Sequence, residues 1–289
     1  FTYKQLQEAT NNFEETLGSG GYGTVYRGEI PEKGGIVAVK VIKAVTHAEK
    51  QFKAEVNTIG KVHHVNLVRL LGYCVEGVHR LLVYEFMPNG SLDNYLSSNS
   101  GSSDSSWQTR YSIAMGIARG ITYLHEECYE CILHCDIKPQ NILLDQNLCP
   151  KVADFGLAKL TKKEMALNVT TIRGTRGYLA PEWISNRPIT TKVDVYSYGM
   201  VLLELLSGHD KSRSGQNTYF SVWAFQKYMA GEFESIVDPK PVTSVEWSQF
   251  ERMLKTAFWC IQLDANLRPS MSRVIQMLED NSSELAVPP

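Results

Sequence analysis

The segment "ILHCDIKPQN" at residues 132–141 crowds a histidine, a thiol, a carboxylate, an ammonium group and an amide into one short run. Downstream, "ADFG" at residues 153–156 supplies a second carboxylate, Asp154. Asn141 and Asp154 offer the oxygen donors that a hard divalent cation takes, Lys138 can stabilise charge on a phosphate, and Asp136 can accept the proton of an attacking hydroxyl. That is the set of groups phosphoryl transfer requires. Cys135, between His134 and Asp136, has no place in it.

Nearer the N-terminus, "LGSGGYGTV" sets Gly18, Gly20 and Gly23 in a G-x-G-x-x-G frame, a weak signal alone because unrelated nucleotide-binding loops share it. A dinucleotide-binding loop opens a helix, whereas Thr24, Val25 and Tyr26 continue as a strand. The loop therefore reads as a hairpin whose backbone N–H groups can lie over phosphates, or as a turn without a ligand. In "GIVAVKVIK", strand alternation puts Ile36, Ala38, Lys40 and Ile42 on one face, where Ala38 leaves room for a flat group. A lysine on an apolar face needs a partner, and Glu55, on the helix face of Phe52, Val56 and Ile59, can supply it. The alternative is a lysine that snorkels to solvent.

The elements that must carry these groups follow from the hydrophobic period. "FTYKQLQEATNNFEE" predicts a short helix and a turn, with Leu6, Ala9 and Phe13 at helical spacing. "GTVYRGEI" and "GIVAVKVIK" about "PEKGG" predict an antiparallel hairpin, and "LVRLLGYCVEGVHRLLVYEF" two more strands about a turn at Glu76 and Gly77. "HAEKQFKAEVNTIGKV" reads as a helix. After "MPNGS" at residues 87–91 the pattern becomes mainly helical, with short strand pieces in "NILLD" and "CPKVADF". Residues 97–106, "SSNSGSSDSS", read as a flexible low-complexity loop, and the tail "NSSELAVPP" is expected to fray.

With 289 residues, a net charge of -2, 43% hydrophobic and 21% charged residues, the composition is that of a soluble globular protein able to bury a core in two lobes. Near-neutral charge argues against a nucleic-acid binder. The longest apolar run, residues 199–206, contains Glu204, so neither a transmembrane segment nor a signal peptide is expected. Of Cys74, Cys128, Cys131, Cys135, Cys149 and Cys260, only Cys128 and Cys131 have the spacing of half a zinc site. A second half is missing, which favours reduced structural thiols in a cytosolic setting.

Taken in order from Leu17 to Arg268, and with "APEW" at residues 180–183, these motifs make the chain resemble a eukaryotic protein kinase domain. The resemblance implies an α+β, bilobal fold: a juxtamembrane extension at 1–16, a small lobe of antiparallel sheet plus one helix at 17–86, a larger helical lobe at 87–280 and a tail at 281–289. It implies ATP as substrate and Mg²⁺ as cofactor, with Mn²⁺ as a substitute. Gly18, Ser19, Gly20, Gly21, Tyr22, Gly23, Thr24 and Val25 would cover the phosphates, and Leu17 belongs to the ATP-binding set beside them. Lys40 would contact them while pairing with Glu55. Glu85 and Met87 would bind adenine through the hinge, with Tyr84 behind it and Ala38 and Leu143 completing the ATP-binding set. Asp136 would accept the substrate proton, Lys138 would steady the γ-phosphate, and Asn141 and Asp154 would hold the metal.

Lys138, two residues after Asp136, and Thr175 in "GTRGY" resemble serine/threonine kinases, where that threonine contacts both residues. Asp194 is expected to accept hydrogen bonds from the catalytic loop, and Glu182 to pair with Arg268. "FTYKQLQEATNNF", "LVYEFMPNGSL", "GTRGYLAPEW" and "ILHCDIKPQNILLD" are similar to plant receptor-like kinases of the interleukin-receptor-associated and Pelle type, in particular those with a bulb-lectin S-domain. That likeness implies the soluble cytoplasmic portion of a plasma-membrane receptor, acting on protein substrates and on a second copy in trans. Many kinases carry arginine at the Cys135 position, where it pairs with an activation-segment phosphate. A thiol cannot, so gating through this residue is not expected; Thr170 or Thr171 is the expected phosphorylation site. A docking-only scaffold is the alternative function, and it would be signalled by loss of Lys40, Asp136, Asn141 or Asp154, all of which are present.

Overall fold

β-Branched runs separated by glycine turns form a five-stranded antiparallel sheet in the first third of the chain. Its strands are β1 (Thr16–Gly20), β2 (Gly23–Ile30), β3 (Gly35–Ile42), β4 (Leu70–Glu76) and β5 (His79–Glu85), in spatial order β1-β2-β3-β5-β4. The computed structural model describes residues 1–21, 23–33, 35–43, 48–60, 62–97, 106–162, 165–168, 173–185, 187–208, 220–237, 245–280 and 284–289. Tyr22, Thr170, Thr171 and residues 98–105 of the serine-rich loop lie outside them.

Strand alternation in β3 sorts its residues between two cores. Val37 and Val39 face one way, into a cluster with Leu6, Cys74, Leu81 and Val83. Lys40 and Ile42 face the other way, toward helix α2 (Ala48–Ile59) and its Phe52. Helix α1 (Tyr3–Ala9) covers the first of these faces, and a reciprocal Thr2–Gln5 capping box starts it. Leu6 is fully buried beneath it. Phe13 joins the same cluster, but not by helical spacing: Asn11, Asn12 and Phe13 all have positive φ, and this left-handed turn swings the Phe13 ring against Tyr26. The segment preceding β1 is thus packed into the small lobe.

The second half is helical: α3 (Leu92–Ser97), α4 (Trp107–Thr122), α5 (Pro181–Ile184), α6 (Lys192–Ser207), α7 (Phe220–Met229), α8 (Trp247–Cys260) and α9 (Met271–Glu279). Helix α6 is apolar nearly all round and buried accordingly. Tyr198 on α6 ties it to α4 by donating to the Ala114 carbonyl at 3.0 Å. Two short strand pairs frame the segment between the lobes: β6 (Cys131–Leu133) with β9 (Lys159–Thr161), and β7 (Ile142–Leu144) with β8 (Pro150–Val152). Val68 N donates to Val152 O, and Val152 N to Asn66 O, each at 2.9 Å, so the lobes are joined by backbone bonds behind the cleft.

Of the tail expected to fray, residues 281–283 lie outside the described residues, and residues 284–289 are seated on the protein. Residues 284–289 lie along α8, where Trp259 Nε1 donates to the Ala286 carbonyl at 2.8 Å and Pro288 is buried. Among the described residues no helix is long and apolar enough to cross a membrane.

Candidate functional site

A cleft of about 400 Å³ opens between the lobes. Leu17, Gly18, Val25, Ala38 and Lys40 line it from the sheet, Glu85 and Met87 from the linker, and Asn141, Leu143 and Asp154 from below. Gly20 pairs with Gly23 across the β1–β2 turn, and Ser19 with Thr24, so the glycine segment is a strand hairpin roofing the cleft. A Cβ on Gly23 would come within 2.4 Å of the Val41 carbonyl oxygen, so β3 itself demands glycine there. At Gly18, Gly20 and Gly21 a Cβ would meet no protein atom within 4 Å. The fold does not require those three glycines, which keep the roof's backbone open to close approach from the cleft.

The alternation that placed Lys40 beside Ala38 brings its ammonium group to the cleft wall with two carboxylates. Lys40 Nζ lies 2.9 and 3.1 Å from the Glu55 oxygens and 2.8 Å from Asp154 Oδ1. Glu55 is fully buried on α2, so neither charge snorkels. Burial disfavours the Lys40 ammonium, yet Glu55 and Asp154 overcome it and hold its pKa above the ordinary lysine value. Burial likewise opposes ionisation of Asp154, but Lys40 outweighs it and keeps that carboxyl below the usual range. Tyr84, opposite Ala38 on β5, donates to Glu55 Oε1 at 2.5 Å. Burial first, and then Glu55, pushes its phenol well above the ordinary value, so it stays a donor.

On the floor, Asp136 is buried and three side chains meet its carboxylate, which leaves Oδ1 with a lone pair to spare. Thr175 Oγ1 donates to Oδ1 at 2.7 Å, Lys138 Nζ lies 2.8 Å from Oδ2, and Asn141 Nδ2 donates to Oδ2 at 3.1 Å and to the Asp136 carbonyl at 2.9 Å. Lys138 also donates to Thr175 Oγ1 at 2.8 Å, closing a triangle. Because the Asn141 NH₂ is spent on Asp136, its carbonyl oxygen is the atom left for the cleft. With the Asp154 carboxylate it makes an all-oxygen donor set of the kind a hard divalent cation takes. Among the described residues no group of three or more His, Cys, Asp or Glu could hold a metal ion, and Cys128 and Cys131 are buried.

Two residues here take left-handed backbone conformations uncommon for anything but glycine, Cys135 at φ 66° and Asp154 at φ 64°. Such positions persist only where the surroundings over-determine them. For Cys135 the determinant is Asp194, fully buried on α6, which accepts from the backbone N–H groups of His134 and Cys135 at 2.8 Å each. Burial works against the Asp194 carboxylate, but the hydrogen bond from His125 at 2.9 Å and the His134 N–H hold its pKa below the ordinary range. His134 in turn accepts from Asp136 N at Nδ1 and donates from Nε2 to the Ala153 carbonyl at 3.0 Å, linking the Asp136 segment to the residue before Asp154.

The Cys135 thiol points into an apolar cluster with Leu133, Leu157, Ala180, Trp183, Ile189 and Val193. Burial, then Asp194, raises its pKa well above the ordinary thiol value. Only about 10 Å³ of free space borders it, no more than about one water needs. A reactive thiolate is therefore disfavoured. The segment that follows Asp154 is held by the same cluster: Leu167 packs on it and exchanges two backbone hydrogen bonds with Ile189, at 2.8 and 2.9 Å. Further along, Arg268 is fully buried and clasps Glu182 with two bonds of 2.6 and 2.8 Å, pinning α5.

Sequence reasoning missed several residues. Val68, Phe86, Pro88, Gln140 and Ala153 also line the cleft, and His125 and His134 orient its floor. The apolar ones carry no signal distinct from ordinary core. The histidines act through partners 19 and 69 residues away, which no local pattern exposes.

Comparison with known proteins gives a consistent result. A protein-family model described as "Protein kinase domain" matches residues 11–278. A G-type lectin S-receptor-like serine/threonine-protein kinase of Arabidopsis thaliana is 54% identical over 285 residues, covering 96% of this chain and 34% of the relative. A second from that plant is 51% identical over 293 residues (100% and 34%). A relative with the same descriptive name from Oryza sativa subsp. japonica is 46% identical over 295 residues (100% and 36%). The chain spans about a third of the length of these relatives.

Proposed function

The chain belongs to the protein kinase family, and from that membership we propose that it is a serine/threonine-protein kinase, the cytoplasmic catalytic portion of a membrane-anchored plant receptor-like kinase. The observation that carries this reading is the Asp136–Lys138–Thr175 triangle lying below the cleft that Lys40, Asn141 and Asp154 line. The relatives' names support the receptor and serine/threonine assignments.

In this reading the base of ATP enters between Ala38 and Leu143 and meets the backbone of Glu85 to Met87. The Gly18–Gly23 hairpin lies over its phosphates. Lys40, positioned by Glu55 and Tyr84, offers its ammonium group to the phosphate oxygens. Asp154 and Asn141 hold Mg²⁺, or Mn²⁺ in its place, which when bound neutralises charge on the phosphate oxygens. Asp136 orients the substrate Ser or Thr hydroxyl. As the hydroxyl oxygen forms its bond to the γ-phosphorus and the bond to the β–γ bridging oxygen breaks, ADP departs with the electron pair and Asp136 takes the proton. Lys138 and Thr175 fix the carboxylate for that transfer. Protein substrates, including a second copy of the chain in trans, follow from the same site.

Cys135 fits a kinase whose active geometry does not depend on a phosphate beside the catalytic loop, because apolar packing and the Leu167–Ile189 bonds order the segment instead. The primary test is autophosphorylation with ATP and Mg²⁺ against an Asp154→Asn control. Incorporation well above the control is expected, and none would favour the docking scaffold. Phosphopeptide mapping of the product should find Thr170 or Thr171. Treating that product with phosphatase should leave the rate on an added peptide nearly unchanged, and a large drop would remove the idea about Cys135.

A further inference from the structure

The two strands that roof the cleft are not equally supported. β2 lies between β1 and β3 and is laddered to β3 as far as the Gly23–Ile42 pair. β1 is the edge strand, exposed along its whole length, and Gly20 is its last residue. At Gly18, Gly20 and Gly21 no protein atom stands within 4 Å of where a Cβ would be. Among the described residues two side-chain contacts act on this end of β1. Ser19 Oγ lies 3.2 Å from Thr24 Oγ1, which ties the hairpin only to itself. Lys43 Nζ donates to the Gly20 carbonyl at 3.1 Å, which ties the edge strand to β3.

Lys43 is the first residue after β3 and follows Ile42, the partner of Gly23, so its long side chain reaches past the end of β2 to the strand beyond. It is exposed, and among the described residues no carboxylate pairs with it. Lys40 and Lys43 stand an odd number of places apart, so a strand that turns Lys40 into the cleft turns Lys43 to the opposite side of the sheet. One strand thus sets the wall ammonium from within and holds the roof from outside. The link matters because glycine-rich backbone has the most conformational freedom to lose when a ligand orders it. An anchor already in place before binding lowers that cost.

We propose that Lys43 is a positioning residue for the polyphosphate: by holding the Gly20 carbonyl from the end of β3, it fixes the tip of the edge strand where the backbone around Gly20 closes over a triphosphate. This role rests on the nucleotide reading of the cleft. Two variants test it, Lys43→Met, which removes the donor and keeps much of the stem, and Lys43→Arg, which keeps a charged donor. In the chain without nucleotide, amide exchange at Gly20, Gly21 and Gly23 should rise about twofold to fivefold in Lys43→Met and return toward the parent rate in Lys43→Arg. Equilibrium binding of ATP with Mg²⁺ should weaken by about the same factor in Lys43→Met. Adenosine, which has no phosphate for the tip to meet, should bind parent and variant equally. A parent that binds neither ligand sinks the nucleotide reading, and this role with it. A parent that binds both, beside a Lys43→Met variant that loses as much affinity for adenosine as for ATP or none for either, overturns the role of Lys43 alone. Long-range attraction of the Lys43 charge for phosphate predicts weaker ATP binding with unchanged exchange at the tip, and that result also overturns it.

Discussion

Lys40 and Cys135 sit in corners built from opposite materials. The Lys40 ammonium group is met by the carboxylates of Glu55 and Asp154, and Glu55 in turn by the Tyr84 hydroxyl. Around Cys135 the side-chain surroundings are an apolar cluster with Leu133, Leu157, Trp183 and Ile189, and the buried carboxylate of Asp194 bonds the backbone. The difference follows from what each corner must do. A group that meets phosphate has to stay charged while buried, so it needs carboxylates that offset its desolvation. A segment that only has to be ordered can be held by apolar packing, which costs no desolvation of charge. If this contrast is right, damage to the charged corner and to the floor beside it should fall on rate, and damage to the apolar corner on stability.

The largest effect expected is on the floor of the charged side. Asp136→Asn keeps the shape and removes the proton acceptor, so kcat should fall by about 10²–10⁴-fold, while the melting temperature stays close to that of the parent. A loss of both together would mean that Asp136 is mainly a structural anchor for Thr175 and Lys138, and the contrast would break.

The charged corner was legible in the sequence because each half of it is a local pattern. Two-residue alternation aims Lys40, the helical period aims Glu55, and the run from Asp136 to Asn141 is contiguous. The apolar corner was not legible in this way. That Cys135 faces Leu157 and Trp183 depends on a positive φ, and that φ depends on a carboxylate 59 residues away. The left-handed turn at Asn11 to Phe13 and the seating of the tail on Trp259 were hidden for the same reason: chirality of a single residue and long-range docking leave no period behind.

The apolar corner offers the next effect. Cys135→Arg must place a guanidinium where only about 10 Å³ is free, so overpacking should lower stability by about 1–3 kcal/mol. Cys135→Ala, which leaves the cluster apolar, should cost less. Urea unfolding of both variants beside kcat measured well below their melting points separates the terms, and a variant with native stability but a rate down tenfold would contradict the division.

Asp194 joins the corners, and pH isolates it. Its pKa in the folded protein is below the ordinary aspartate value, so its contribution is complete above about pH 3.9 and is lost as pH falls through the lower folded value. Acid unfolding should therefore be steeper for the parent than for Asp194→Asn, which has no carboxylate to protonate. Parallel curves below about pH 4 would show that other groups govern the acid limb.

Tyr84→Phe is the smallest change and the finest test of the charged corner. It deletes one oxygen, leaves the ring against the cleft, and takes from Glu55 a hydrogen bond of the charge-assisted kind, worth about 1.5–3 kcal/mol where one partner is ionised. Lys40 still holds Glu55 by two contacts, so most of the geometry should survive and only part of that energy should reach the transition state. A fall in kcat of about threefold to tenfold is expected, with KM for ATP changed less, because the Tyr84 hydroxyl acts through Glu55 and Lys40 on the phosphates rather than on the base. A rise in KM with kcat intact would place Tyr84 against the nucleotide instead, and the ionic corner would then consist of Lys40, Glu55 and Asp154 alone.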